Sequence, residues 1–282
     1  MKNTIDIICP LYNASNYIEN LHKSLLMQQN VYINKIRYIL TKTNDNTEEY
    51  LKNNNISYKL INKEDFSHSL TREEEAFESN ADILVFISQD IVIDDSSWLE
   101  KLIKPITNGE AEASYSRQLT KYNNIEKYVR EFNYPDKSII KSKDSINELG
   151  IKTFFFSDAA SAVKRDIFIK LNGYDNKDLP TNEDMYFAHK LINSGYKIKY
   201  CSDSYVYHSH KFSLKELYDR YKLTGMFFKQ NSYLYNYKAT SSGAKMAKYI
   251  LKRLLQEFRL LLLLRYPFDM AVRFLGMKAG ER

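Results

Sequence analysis

The chain has 282 residues, 44% of them apolar and 27% charged, with only 8 Gly and 5 Pro; it suits one large folded domain, or one domain with an appendage, and needs neither disorder nor a disulfide scaffold. The net charge of +6 is concentrated at the end, because residues 238–282 hold ten Lys/Arg against three Asp/Glu and leave the rest nearly neutral. A near-neutral body argues against a nucleic-acid partner, and two cysteines, Cys9 and Cys201, are too few to staple a fold.

TIDIICPLYN (4–13) alternates as a strand and breaks at Pro10. Asn16 and Glu19 have capping-box spacing for a helix running to residue 29. KIRYIL (35–40) predicts a second strand, Thr47 a cap for the next helix, and ISYKLIN (56–62) a short third strand. A helix over 71–81 leads into ADILVFIS (81–88), whose near-continuous apolar run suits a strand buried on both faces. Ser97 and Glu100 form another capping box before WLEKLIKPI. This alternation predicts a doubly wound α/β sheet.

Residues 111–150 mix their signals: ASYSRQL reads as a strand, while NNIEKYVREFNYPDKS carries both helix and turn features. FFFSDAASAVKRDIFIKLNGYD gives strand, turn and helix, with Gly173 as a helix C-cap. Thr181 to Asp184 opens a helix that stops at Gly195, and residues 196–210 alternate as one or two strands. Ser213 and Glu216 form a further capping box, beyond which the chain is mostly helical. The expected division is an α/β domain over 1–212 and a basic, amphipathic helical region over 213–282. A GxxxG at Gly276 and Gly280 carries little weight outside a long apolar helix.

The N-terminus offers no signal peptide, and no apolar stretch approaches the roughly 20 residues of a membrane span. The longest run, Leu260 to Leu264, is closed by Arg259 and Arg265. A cytosolic compartment is expected, with Cys9 a buried thiol.

GxGxxG, GxxxxGK[ST] and GxSxG are all absent, so any phosphate must be met by a metal or by basic side chains. Asp90 follows the most apolar strand, where open α/β sheets bind ligands. It either holds a divalent ion against a diphosphate or starts a turn; Asp94 and Asp95 fit the turn and cap before Trp98. In TNEDM (181–185), Glu183 or Asp184 can act as a general base toward a hydroxyl, or can serve the helix start together with Thr181. His208 and His210 alternate on a strand, share one face and can complete a metal site. His68 and Arg72 stand before a helix, either as phosphate ligands or as a solvated helix start.

The ordered motifs PLYN (10–13), SHSLTR (67–72), FISQD (86–90), YSRQL (115–119), NED (182–184) and YHSH (207–210) resemble glycosyltransferase family 2, with its GT-A fold. That fold is an α/β, Rossmann-like, mostly parallel sheet flanked by helices, here with a C-terminal helical extension. Ser88-Gln89-Asp90, Arg117-Gln118, Asn133-Tyr134-Pro135, Asn182-Glu183-Asp184 and Val206 to His210 resemble its bacterial rhamnosyltransferase branch. The resemblance implies an inverting, metal-dependent transfer of a sugar, L-rhamnose from dTDP-L-rhamnose, to a saccharide acceptor that is lipid-linked in such systems. It places Mg²⁺ or Mn²⁺ on Asp90, with His208 ahead of His210 as the imidazole ligand. It places the nucleotide sugar against Pro10, Tyr12, Arg72 and Gln89, a donor or acceptor sugar near Arg117, Gln118 and Asp158, and the base at Asp184 with Glu183 beside it.

Two departures from the family pattern stand out. Leu40 occupies the position where many relatives carry an Asp for the base N3–H, leaving Thr41, Thr43 or Asp45 for that task. Ser88 replaces the first acid of a DXD motif. A UDP-hexose or UDP-N-acetylhexosamine transferase is the alternative enzyme, and a non-catalytic membrane-associated module the alternative outside catalysis. A sugar nucleotidyltransferase would need a Gly-rich basic loop that PLYNASN lacks. In the tail, Lys245, Lys248, Lys252 and Arg259 share one helical stripe, with Met246, Ile250, Leu254, Phe258 and Leu261 on the other side. Such a helix binds an anionic membrane surface, here the inner face of the plasma membrane, or packs on the domain, or makes a homodimer contact.

Overall fold

A computed structural model describes residues 3–237 and 242–282. In chain order, the first apolar runs form β1 (Thr4–Leu11), α1 (Ile18–Leu26), β2 (Tyr32–Thr41), α2 (Thr47–Asn53), β3 (Tyr58–Ile61), α3 (Leu70–Glu78) and β4 (Ile83–Ile87). These four strands pair in parallel, β2 between β1 and β3, and β4 on the other side of β1. Every residue of β4 is buried, as its unbroken apolar sequence requires. Ile5, Ile7, Leu21, Leu25, Leu51 and Trp98 belong to the core that this sheet covers. Arg37 ties three elements together, with Nε 3.0 Å from Asp6 and Nη1 3.0 Å from Glu75 of α3.

The chain continues through β5 (Ile91–Val92), α4 (Trp98–Thr107), β6 (Ala113–Leu119), α5 (Ile125–Asn133), β7 (Ile139–Lys141), α6 (Ile146–Leu149), β8 (Ala160–Lys164), α7 (Arg165–Lys170), α8 (Glu183–Asn193) and β9 (Ile198–His208). The strand order is β3-β2-β1-β4-β8-β6-β9-β5, with β7 also on β9. β8 joins β4 antiparallel, so the parallel half of the sheet is continued by an antiparallel one. Residues 196–210 thus supply one strand, ending at His208.

Several helix starts are held by residues other than those the capping pattern suggests. Tyr17, not Asn16, is the N-cap of α1, without a side-chain bond. Asp45 accepts from the Thr47 backbone at 3.2 Å and its hydroxyl at 2.8 Å, so the acid two residues earlier closes α2. Asp95 does the same before α4, accepting from the Ser97 backbone at 2.9 Å and its hydroxyl at 2.7 Å. At α8 the N-cap is Asn182 in the left-handed conformation, φ 60°, and makes no side-chain cap. An Asx-type bond from a preceding Asp competes directly with the Ser/Thr cap.

The chain divides into two compact units: one of residues up to Gln118, Asp136–Lys143 and Phe154–His208, the other of Leu119–Pro135, Asp144–Thr153 and Ser209–Arg282. The first contains the sheet. The second is helical and adds α9 (Leu214–Gln230), α10 (Ser242–Gln256) and α11 (Leu260–Glu281) to α5 and α6. Ser213 and Glu216 form both halves of a capping box at α9, as their spacing predicts. Gly276 and Gly280 of α11 lie against the backbone of α9, where a Cβ would collide with the carbonyls of Tyr218 and Lys222. The GxxxG therefore sets a close helix crossing, contrary to the small weight its sequence context suggested.

Part of the apolar surface of α10 is also spent inside this unit, although Leu251 and Leu255 stay exposed. Ile250 and Leu254 are fully buried with Ile125, Tyr128 and Val129 of α5, and Met246 packs against the same cluster. Ile250 and Leu254 are unavailable to a membrane and Met246 is half-buried, whereas Phe258 and Leu261 remain exposed. Residues 238–241 of the basic tail lie outside the described residues.

Candidate active site

The C-terminal ends of β1, β2 and β4 converge on one region of the sheet unit. Pro10 lies within β1, and Tyr12 just beyond it is exposed. Gln89 clasps Tyr12 from the loop after β4: Gln89 Oε1 accepts from the Tyr12 backbone at 2.7 Å and Nε2 donates to its carbonyl at 2.8 Å. The motif residue thus joins the two loops. Thr41 ends β2, only 2% exposed, and its hydroxyl oxygen has no hydrogen-bond partner. Thr43 instead donates to Asn13. Asp45 also accepts from Ser15 N at 2.9 Å. Burial raises its carboxyl, but the bonds from Thr47 and Ser15 bring it below the usual range.

Asp90 follows β4 and faces the end of β9, with Oδ1 3.4 Å from His208 Nε2. The other nitrogen of that ring, Nδ1, lies 2.9 Å from Oε1 of Gln118, which is 2% exposed on β6. Gln118 Nε2 in turn donates to Ser157 Oγ at 2.8 Å. Arg117, its neighbour on β6, points to the opposite face of the sheet by strand alternation. His210 follows two residues beyond β9; with Asp90 and His208 it completes a group of three ligand atoms all within 4.8 Å of one another. One carboxylate and two imidazoles at this spacing fit a divalent ion that also takes phosphate oxygens, and suit Mn²⁺ better than Mg²⁺.

Beside this group is a knot of three carboxyls and one guanidinium. Asp158, 3% exposed, accepts from Ser161 Oγ and Tyr174 OH, both at 2.7 Å. Burial, and then the charge of Glu183, pushes it up to about 6 against the pull of Arg72. Glu183 begins α8, with Oε1 3.5 Å from Nη1 of buried Arg72. Arg72 donates from Nη1 to the His68 carbonyl at 2.8 Å, and its Nε is buried without a partner. Asp184, the second residue of α8, is partly buried and accepts from the Met185 backbone at 2.7 Å. Burial, then the charges of Glu183 and Asp158, raises its carboxyl well above the ordinary range, with backbone bonds from Met185 and Asp158 opposing. Burial raises the pKa of the Cys9 thiol near the end of β1, and the charges of both Arg72 and Asp90 act on it, so the knot and Asp90 are both close to that strand end.

The structure therefore gathers Arg72, Asp158, Glu183 and Asp184 into one knot and Asp90, Gln118, His208 and His210 into another group. Asp45 is engaged in its own turn. Ser157, Ser161 and Tyr174 went unmarked in the sequence, as did Glu73, whose carboxylate accepts from the Tyr174 backbone at 2.5 Å. The one signal for them is Gly173: in the left-handed region at φ 44°, it leaves room for Glu73, whose Oε1 would lie 2.6 Å from a Cβ there.

Residues 6–171 match the model of glycosyl transferase family 2, and the chain belongs to that family. It is a glycosyltransferase, and its sheet is a GT-A sheet. Over 227 residues it is 35% identical to the O-antigen chain rhamnosyltransferase RfbN of Salmonella typhimurium, covering 79% of this chain and 72% of the relative. It is 30% identical over 231 residues to the O-antigen chain rhamnosyltransferase WbaN of Salmonella anatum, covering 81% and 73%. Among solved structures, the mannosyltransferase PcManGT of Pyrobaculum calidifontis, in complex with GDP-Man and Mn²⁺, superposes with a TM-score of 0.65 at 12% identity, covering 99% of this chain and 87% of that one. S. aureus TarS 1-349 with UDP-GlcNAc gives a TM-score of 0.57 at 14% identity, covering 99% and 91%. At such identities the two structures speak for the fold alone.

Proposed function

We propose that this glycosyltransferase moves an L-rhamnosyl group from dTDP-L-rhamnose to a lipid-linked saccharide acceptor in the synthesis of a bacterial surface polysaccharide, with inversion at the anomeric carbon. The observation that carries the reading is the identity of 35% to a rhamnosyltransferase over four-fifths of the chain. The protein works at the inner face of the plasma membrane, held by its helical unit; none of the helices is long and apolar enough to cross a bilayer among the described residues.

The nucleoside binds over the ends of β1 and β2, beside Pro10 and Tyr12. The unpartnered hydroxyl of Thr41 accepts the base N3–H in place of the missing aspartate, and Asp45 shapes the adjoining turn. Asp90, His208 and His210 would hold Mn²⁺ or Mg²⁺ where the donor diphosphate binds. When bound, the ion neutralises charge that develops on the leaving diphosphate. Arg72 adds positive charge behind it and keeps Glu183 in place. Asp184 takes the proton of the acceptor hydroxyl as that oxygen attacks the anomeric carbon from the face opposite the diphosphate. The bond to the diphosphate oxygen breaks with its electron pair. A carboxylate crowded by Asp158 and Glu183 is a stronger base than a solvated one, which suits it to this proton. Asp158 and Gln118 flank the sugar, whereas Arg117, on the opposite face of β6, takes no part in holding it.

Calorimetric titration with dTDP, UDP and GDP, each with and without Mn²⁺, tests the donor. Metal-dependent preference for dTDP, followed by turnover of dTDP-L-rhamnose, is the expected result. Preference for UDP would replace rhamnose by a hexose or N-acetylhexosamine and leave the site chemistry standing. Absence of binding by all three would overturn the donor-site assignment.

A further inference from the structure

A cavity of about 560 Å³ lies wholly within the helical unit, its wall beginning just past two motifs of the transferase site: Lys211 follows His210 directly, and Asn124 donates from Nδ2 to the His210 carbonyl at 2.8 Å. Lys121, Lys211 and Arg265 line it, together with the rings of Tyr122 and Phe212. Its two carboxylates, Glu126 and Asp269, are both engaged by Arg273, which is buried and donates from Nε to Asp269 at 2.8 Å and from Nη2 to Glu126. Three cations line the cavity against two carboxylates that Arg273 already engages from outside the lining, and Arg265 Nε also lies 3.7 Å from Asp269. Lys211 lies over the Tyr122 ring, 4.4 Å from its centroid, and Arg265 donates from Nη2 to the Phe212 carbonyl at 2.6 Å, so two of the cations are held in place at the wall. Asn124, also lining the cavity, has a buried side-chain oxygen without a hydrogen-bond partner.

The first turns of α11 pass this cavity and carry a second feature. Leu262 and Arg265 line the cavity, while Leu261 and Leu264 of the same turns are 83% and 71% exposed, and Leu260 and Phe268 are also turned outward. An apolar surface of this kind, contiguous with a positively charged cavity, matches an amphiphile with a phosphate head and a long hydrocarbon chain. A free anion would need only the cavity, and a bare apolar partner only the helix face.

We propose that this cavity binds the phosphate head of a membrane lipid that carries the saccharide acceptor, with the hydrocarbon chain lying along the exposed face of α11. The proposal rests on the reading of the protein as a transferase acting on a lipid-linked acceptor. It gives that acceptor an anchoring point of its own, adjoining His210 through Lys211 and Asn124 but built from other side chains than those assigned to the donor. The partnerless Asn124 oxygen accepts a hydroxyl from the first sugar attached to the phosphate.

The full chain is sedimented with phosphatidylcholine vesicles containing a polyprenyl phosphate, and with vesicles brought to the same surface charge by phosphatidylglycerol. Preference for the polyprenyl phosphate is expected, with competition by soluble inorganic diphosphate. The double variant Lys121→Glu/Lys211→Glu should weaken this binding by about tenfold or more. Leu261→Ser/Leu264→Ser should lose the vesicles yet keep the calorimetric affinity for inorganic diphosphate. Equal binding to both vesicle types, or undiminished binding by the lysine variant, overturns the proposal; circular dichroism of each variant guards against misfolding. Titration with dTDP in the same samples separates the two readings. Retained dTDP binding without lipid discrimination removes the cavity site alone, and lipid discrimination without dTDP binding removes the donor assignment alone.

Discussion

Gln118 and His208 are 90 residues apart in the chain, yet the carbonyl oxygen of one lies 2.9 Å from Nδ1 of the other. An oxygen in that place accepts a hydrogen bond from Nδ1–H and so fixes the tautomer in which Nε2, on the side of Asp90, carries the lone pair, and the bond from Gln118 Nε2 to Ser157 keeps the amide from rotating. Gln118→Met should therefore weaken Mn²⁺ binding by about 10–100-fold, measured calorimetrically with dTDP present, while Gln118→Glu, which keeps the acceptor, should retain most of it. Equal affinities in wild type and Gln118→Met would reduce the residue to packing. Asp184 invites a different test. Asp184→Asn should lower kcat by about 10²–10⁴ and leave the dTDP affinity unchanged. The pH profile follows from the sign of its shift. Only the ionised carboxylate accepts the acceptor's proton, and Asp184 is raised by burial and by two neighbouring acids. Activity should thus rise with pH through an apparent pKa above the aspartate value of about 3.9, a macroscopic constant of the Asp158–Glu183–Asp184 cluster. An acid limb at the ordinary aspartate value would exclude Asp184 as the base. The local motifs FISQD and NED were legible because each lies within a few residues at a strand end or helix start. The links Gln118–His208 and Asp158–Tyr174 were not, because they arise from strand pairing and a distant turn.

The helices differ in how openly their sequences declare them. Ser213 and Glu216 cap α9 as their spacing predicts, since no acid two residues earlier competes for the same backbone. Before α2 and α4 an Asp does compete: it accepts from the backbone and hydroxyl of Thr47 and Ser97, whose side chains then make no cap bond to the first turn. The glycines of α11 show a different limit. Small residues four apart acquire meaning only from the helix they meet, and α9 meets them with Gly225, where a Cβ would collide with the Met277 carbonyl. Gly280→Leu should force the two helices apart and lower stability by about 1–3 kcal/mol or more, seen as a fall in Tm. Gly243→Leu is the control, because a Cβ there meets nothing within 4 Å. Equal melting temperatures for the two variants would show that the crossing tolerates a wider spacing.

At the scale of the whole molecule, the alternation of strand and helix over the first hundred residues made the parallel half of the sheet readable, because each strand there pairs with a near neighbour in sequence. Residues 111–150 gave mixed signals, and within them Ile125, Tyr128 and Val129 find their apolar partners, Ile250 and Leu254, more than a hundred residues later in the helical unit. The same fact decides how the tail must be tested. Removing residues 238–282 would strip Ile250 and Leu254 from Ile125, Tyr128 and Val129, and α11 from α9. Loss of one buried Leu or Ile side chain costs about 2–5 kcal/mol, so the truncation should melt the helical unit and aggregate. Failure of the truncated chain to bind vesicles would then report unfolding as readily as a missing membrane surface. Leu261→Ser/Leu264→Ser changes only side chains already facing water, and should leave the melting temperature within a degree or two (~0.5 kcal/mol) while reducing sedimentation with vesicles. A truncated chain that kept both its melting temperature and its solubility would mean that α10 contributes little to the unit it packs against. A serine variant that kept its vesicle binding would move the membrane-binding surface away from α11, toward the exposed lysines of α10.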